Sequence, residues 1–99
     1  MLFVVTGLDK PDFLAQRLKF RAQHRAHYEG LGADLILSGP FLDPKGEPIG
    51  SMIVMRRSNQ ADAEDFGRRD PYVTEGVFSE CTVRRWSWFM NRPSGAFED

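Results

Sequence analysis

The sequence predicts a small α+β domain built on a single antiparallel sheet, and three observations predict it. Stretches with strand composition begin near Leu2, Ala33, Ser51 and Val77, rich in the branched and aromatic residues that suit a pleated, half-buried surface. Polar stretches of helical composition separate the first strand from the second and the third from the fourth. Between the second and the third lies a segment rich in proline and glycine, which forbids a helix there.

The first element, Leu2 to Thr6, is a continuous apolar run that stops at Gly7 and reads as a buried strand. Asp9 is placed to cap the helix that follows, with Pro11 near its first turn. Residues 12–29 carry two apolar stripes rather than one. Leu14, Leu18, Ala22 and Ala26 lie on one side, and Phe20, His24, Tyr28 and Leu31 on another. Either the helix contacts two surfaces or it breaks near Phe20-Arg21. Gly30 and Gly32 end it. Arg17, Lys19, Arg21 and Arg25 make this helix basic and read as a solvated face. Arg21, nearest His24, is the one placed to steer an anionic substrate.

Ala33 to Ser38 is the second strand, centred on Leu35, Ile36 and Leu37. Gly39 to Gly50 holds three prolines and three glycines and is expected as a loop; a loop this long in so small a domain points to function. Ser51 to Arg57 is the third strand. Ser58 or Asn59 caps a second helix over Ala61–Arg69, which has acids in its first half and arginines at its end. Pro71 disfavours a helical Asp70, so a turn is expected there, and Gly76 is free to close it. In the last strand, Val77 to Phe89, Val77, Ser79, Cys81 and Val83 alternate with Phe78, Glu80, Thr82 and Arg84, and Trp86 and Trp88 continue the second set. By this parity Cys81 is a small core residue on the helix-covered side. The domain is expected over residues 1–90, with a tail over 91–99 in which Phe97 is the candidate anchor.

The order β-α-β-β-α-β is the ferredoxin-like, split-βαβ arrangement: a four-stranded antiparallel sheet with two helices on one face. The other face is then left to Phe78, Thr82, Trp86 and Trp88. An uncovered apolar face predicts an interface, so a homodimer with its open faces together is expected.

A formal charge of −1 supplies no general attraction to nucleic acid or an anionic membrane, and neither is expected as a partner. No apolar run approaches the ~20 residues that span a bilayer. One cysteine, Cys81, excludes an intramolecular disulfide and a cysteine zinc cluster. That usage suits a reducing cytoplasm, and the N-terminus lacks the charged start and long apolar core of a signal peptide.

Three segments together resemble the YciI-like (YCII-related) family of the dimeric α+β barrel superfamily. They are Arg21-Ala22-Gln23-His24, Leu37-Ser38-Gly39-Pro40-Phe41, and Asp70-Pro71-Tyr72-Val73-Thr74-Glu75-Gly76-Val77-Phe78. The resemblance spans about residues 2–88. It implies a ferredoxin-like dimer whose active site holds a histidine and an aspartate, here His24 and Asp70, beside a small-residue turn at Ser38, Gly39 and Pro40. Ser38 stands where the related DGPF-type subgroup has aspartate.

A His–Asp pair suits proton transfer. An ordinary imidazole titrates at ~6.5, and a carboxylate that holds one ring nitrogen fixes the tautomer and raises the basicity of the other. The bland alternative is a structural His24 packed beside Phe20 and Tyr28. Ser38 and the N–H of Gly39 are placed either to hold an oxyanion or merely to end a strand. Tyr72 either lines the pocket or packs under the second helix. His27, one turn after His24, lacks the further ligands that a metal site needs, and no metal or cofactor is expected. The leading expectation is a cofactor-independent lyase or isomerase-like enzyme, with His24 as acid or base and Asp70 as its partner. It would act on a small ring-containing or carboxylated metabolite. The alternatives are a non-catalytic ligand-binding or interaction module and a cofactor-free oxygenase.

Overall fold

The computed structural model describes residues 1–93, and the expected anchoring role of Phe97 lies outside them. Strand β1 (Leu2–Asp9) leads to helix α1 (Leu14–Glu29), then to strands β2 (Leu35–Leu42) and β3 (Pro48–Arg56). Helix α2 (Gln60–Arg68), the one-turn helix α3 (Pro71–Thr74) and strand β4 (Phe78–Trp86) complete the fold. The four strands form one sheet in the order β2-β3-β1-β4, with every neighbouring pair antiparallel. The ferredoxin-like expectation is therefore met.

Helix α1 does not break at Phe20-Arg21, and it buries only one of its two stripes. Tyr28 is buried and Phe20, His24 and Leu31 are partly so, whereas Leu18, Ala22 and Ala26 are exposed. Asp9 does not cap this helix. It ends β1, and Phe13 takes the N-cap position with no side-chain bond. For α2 the choice of cap falls on Asn59, whose side chain accepts from the Asp62 N–H at 2.8 Å.

The expected loop over 39–50 is mostly strand. β2 runs on to Leu42 and β3 starts at Pro48, leaving a short turn in which the Asp43 side chain accepts from the N–H groups of Lys45 and Glu47. β2 is an edge strand, so Pro40 can sit in it without breaking a ladder bond, and Pro48 stands first in its strand.

Irregular pairing changes which side chains face the helices. Phe3, Val5, Ile53 and Met55 form the main core with Tyr28 and Ala63 on the helix side. Strict alternation puts Phe78 on the open face, but a bulge lets Asp9 pair with Phe78 while Leu8 pairs with Glu80. The extra residue, Ser79, reverses the parity. Phe78 therefore packs on the helix side with Tyr72 and Val77, and its ring fills the space that a Cβ on Gly7 would need. β4 also ends at Trp86, so Trp88 lies beyond the sheet. The open face is less apolar than expected: it carries the Thr6–Thr82 hydroxyl pair, 2.6 Å apart, with Glu80 and Arg84 beside Leu8 and Trp86. Cys81 lies against both helix-side clusters, as its parity predicts.

Candidate functional site

Asp70 is the last residue before α3 and is completely buried. Its carboxylate caps that turn, with Oδ1 accepting from the Tyr72 N–H at 2.9 Å. Pro71 at the first helical position needs no hydrogen bond and presets the turn. Gly76, at φ +71°, leads the chain out toward β4. A carboxylate held in this way has little rotational freedom.

The buried stripe of α1 brings His24 to it. Nδ1–H of His24 donates to Asp70, 2.8 Å from Oδ1 and 2.9 Å from Oδ2. Tyr72 lies flat against the imidazole, with ring centroids 4.0 Å apart and planes 13° from parallel. Its hydroxyl donates to the main-chain oxygen of Arg17 at 3.2 Å. Tyr72 therefore packs on α1 rather than under α2. Burial raises its phenol above the ordinary range, with Arg17 opposing the rise. With Nδ1 committed to the carboxylate, the neutral imidazole keeps Nε2 as its basic nitrogen.

The pair opens on a cleft of about 380 Å³ between α1 and the β2–β3 edge. His24, Tyr72, Ser38, Gly39 and Pro40 all border it, and Arg21 lies at its rim. The bulge in β2 is responsible for part of this. Leu35 pairs with Met55, but Leu37 pairs with Val54, so Ser38 and Pro40 share the parity of Ile53 and Ser51 and face the helices.

Three residues escaped the sequence reading. Arg17, which composition puts on a solvated face, is only 5% exposed. Its Nη1 donates to Asp9 Oδ1 at 2.8 Å, its Nη2 donates to Ser51 Oγ at 2.6 Å, and its guanidinium lies 4.7 Å from the Tyr72 ring centroid. Burial pushes the Asp9 carboxyl up, and Arg17 pulls it back only in part. One signal for Arg17 was present: it sits seven residues before His24, on the extension of the buried stripe. Nothing local marks Ser51, and the sequence marks Asp9 only as a helix cap, since β1 and β3 bring the two to α1 across the chain. His27 resolves differently from His24. Its Nε2 lies 2.8 Å from the Phe66 carbonyl oxygen and its ring stacks on Phe66, so it serves packing.

Comparison with known proteins agrees with this architecture. The model of the YCII-related domain matches residues 1–87. The chain belongs to the YCII-related domain family. An uncharacterized protein of Haemophilus influenzae is 32% identical over 92 residues, which span 85% of this chain and 94% of that protein. Protein YciI of Escherichia coli is 30% identical over the same shares of the two chains. Among solved structures, this YCII-domain chain is similar to TftG, the 5-chloro-2-hydroxyhydroquinone dehydrochlorinase of Burkholderia phenoliruptrix, in complex with 2,5-dihydroxybenzoquinone. The TM-score is 0.80 at 29% identity, over 88% of this chain and 94% of that one. SnoaB, a cofactor-independent oxygenase of Streptomyces nogalater, shares the fold alone, at 7% identity and a TM-score of 0.54 over 92% of this chain and 96% of that one.

Proposed function

We propose that this protein is a small cofactor-independent enzyme of the lyase or isomerase type, working by general acid–base catalysis on a small organic metabolite. The observation that carries the proposal is the bond from His24 Nδ1 to the fully buried Asp70 carboxylate at the edge of an open cleft. Nε2 takes a proton from an acidic C–H or O–H of the substrate. Asp70 orients the ring and stabilises the imidazolium that results. In an elimination the leaving group departs with its bonding electron pair, and the proton taken by His24 completes the loss of an acid. In an isomerisation the same proton returns at another atom. The likeness to a dehydrochlorinase supports the elimination form, and a hydroxylated ring as the substrate class. Leu8, Leu37 and Trp86, exposed by 42%, 44% and 37%, support pairing of two copies through the open sheet face; a monomer in dilute solution by light scattering would count against that part.

The test has two stages. A thermal-shift screen of small hydroxylated and enolisable ring compounds finds ligands, since a compound that binds only the native state raises apparent stability. Each hit is then followed for turnover. The expected result is that His24→Gln and Asp70→Asn keep ligand affinity but lose about a hundredfold or more in kcat. Unchanged turnover in His24→Gln would sink the proposal. Hits that bind wild-type protein and are never turned over would make it a binding module instead.

A further inference from the structure

The cleft is larger than a single ring needs. A cavity of about 150 Å³ is enough to hold one benzene ring, whereas this cleft measures about 380 Å³. Its wall on α1 is graded in depth. Arg17 is buried and His24 partly so, and both face inward. Leu18, Arg21 and Arg25 form the next row outward on the same helix, at spacings of three and four residues. All three are exposed, yet each borders the cleft. Leu42 and Pro48 border it from the strand side. Leu18 and Leu42 are 53% and 56% exposed. The mouth thus presents apolar surface on both walls beside two cations, and the pair at the floor uses neither.

The charge at this mouth is uncompensated. On α2, Arg68 and Arg69 each meet an acid one turn earlier, Glu64 at 2.8 Å and Asp65 at 3.0 Å. On α1 the residue one turn before Arg21 is Arg17, and the residue one turn before Arg25 is Arg21. Like charges in that register weaken a helix. Among the described residues neither Arg21 nor Arg25 makes an ion pair or a side-chain hydrogen bond. No aspartate or glutamate borders the cleft. Asp9 neutralises Arg17, so the two outer guanidiniums are the positive charge left for a ligand. They leave the helix about 6 Å apart along its axis, a gap that two long side chains close on one carboxylate. Its two oxygens accept from both.

We infer that Arg21 and Arg25 form a carboxylate clamp at the mouth of the cleft, and that the ligand is a ring carrying a short apolar arm that ends in a carboxylate. The ring lies at the floor beside His24, the arm runs between Leu18 and Leu42, and the carboxylate accepts from the two guanidiniums. This names the substrate class of the acid–base reading, and it rests on that reading for the place of the ring but not for the clamp. The clamp selects the ligand and takes no part in proton transfer.

The test compares 4-(4-hydroxyphenyl)butanoate with its neutral amide, which has the same shape without the charge. Calorimetric titration of the full-length protein is expected to give at least about tenfold tighter binding of the carboxylate, a gap that added salt narrows. Arg21→Gln and Arg25→Gln each weaken the carboxylate about threefold, the scale of one exposed ion pair, and the double variant binds the two probes equally. Leu18→Ala weakens both probes alike, by about threefold. Arg68→Gln on α2 changes neither, which separates the clamp from a general loss of positive charge. Melting curves establish that each variant is folded. Equal affinity of wild-type protein for the two probes, binding of neither, or a double variant that keeps the preference would each overturn the clamp. His24→Gln separates the two readings. If it keeps full turnover of a screened ligand and also the preference for the carboxylate, the acid–base reading falls and the clamp stands. If it loses turnover while wild-type protein binds the two probes equally, the clamp alone falls.

Discussion

The helix-covered face of the sheet has two halves, built on different principles. Over β1 and β4, α2 lies close on the strands: a Cβ on Gly67 would stand only 3.1 Å from a methyl of Val83. That half is filled by Phe3, Val5 and Ala63, each fully buried. Over β2 and β3, α1 leans on α3 and leaves a cleft, and the buried polar groups, Arg17, Ser51 and Asp70, gather around it. His27 and His24, one turn apart on α1, face these two settings. One meets a main-chain carbonyl and a phenyl ring, and the other meets a buried carboxylate. The same residue type on the same helix is a packing group in the first case and a candidate catalyst in the second. What distinguishes them is the partner that tertiary structure supplies, and that His24 borders the cleft whereas His27 does not.

This contrast can be broken by substitution. Phe3→Ala in the apolar half is expected to cost about 4 kcal/mol in urea unfolding, through lost burial and the cavity left behind. It should leave the thermal shift given by a cleft ligand intact. Arg17→Met is expected to cost about 3 kcal/mol, because it strands the buried Asp9 carboxylate. If Arg17→Met costs less than about 1 kcal/mol, the polar half is not a cooperative part of the fold.

The two buried tyrosines sharpen the comparison. Tyr72 donates to the Arg17 carbonyl, whereas the Tyr28 hydroxyl has no partner among the described residues. Tyr72→Phe should therefore cost about 1 kcal/mol, and Tyr28→Phe nothing measurable. Both phenols, and the Cys81 thiol, are raised by burial above their ordinary values of 10.0 and 9.0. The folded state then keeps protons that the unfolded chain releases, so stability is full below pH 9 and falls as pH rises beyond it. Melting temperatures between pH 7 and 11 check this, and Tyr28→Phe should flatten the decline. A flat profile in the wild type would contradict the burial of all three groups. The smallest effect is expected from Arg21→Ala at the rim. It should change stability by less than about 0.5 kcal/mol and weaken binding of an anionic ring only modestly, in a salt-dependent way.

Much of this was legible in the chain. Element order follows from composition and period. Asp70-Pro71 announces a capped turn, because proline removes a donor and the aspartate supplies an acceptor, and Asn59 announces the cap of α2. Where reading by alternation failed, the cause was a bulge or an edge. Phe78 changed faces because Ser79 is extra, and Pro40 sits in a strand because β2 has a neighbour on only one side.

What sequence alone determined, then, is the set of helices and strands and their order, since those rest on local preference and on the spacing of apolar side chains. It also marked His24 and Asp70 as worth watching, through the segments that carry them. The meeting of those two at 2.8 Å was decided by the packing of α1 against α3, and so was the conversion of Arg17 from an apparent surface cation into a buried one held by Asp9 and Ser51. No local rule sees such contacts. They join residues from separate strands and helices, and only the folded sheet brings those residues within reach of one another.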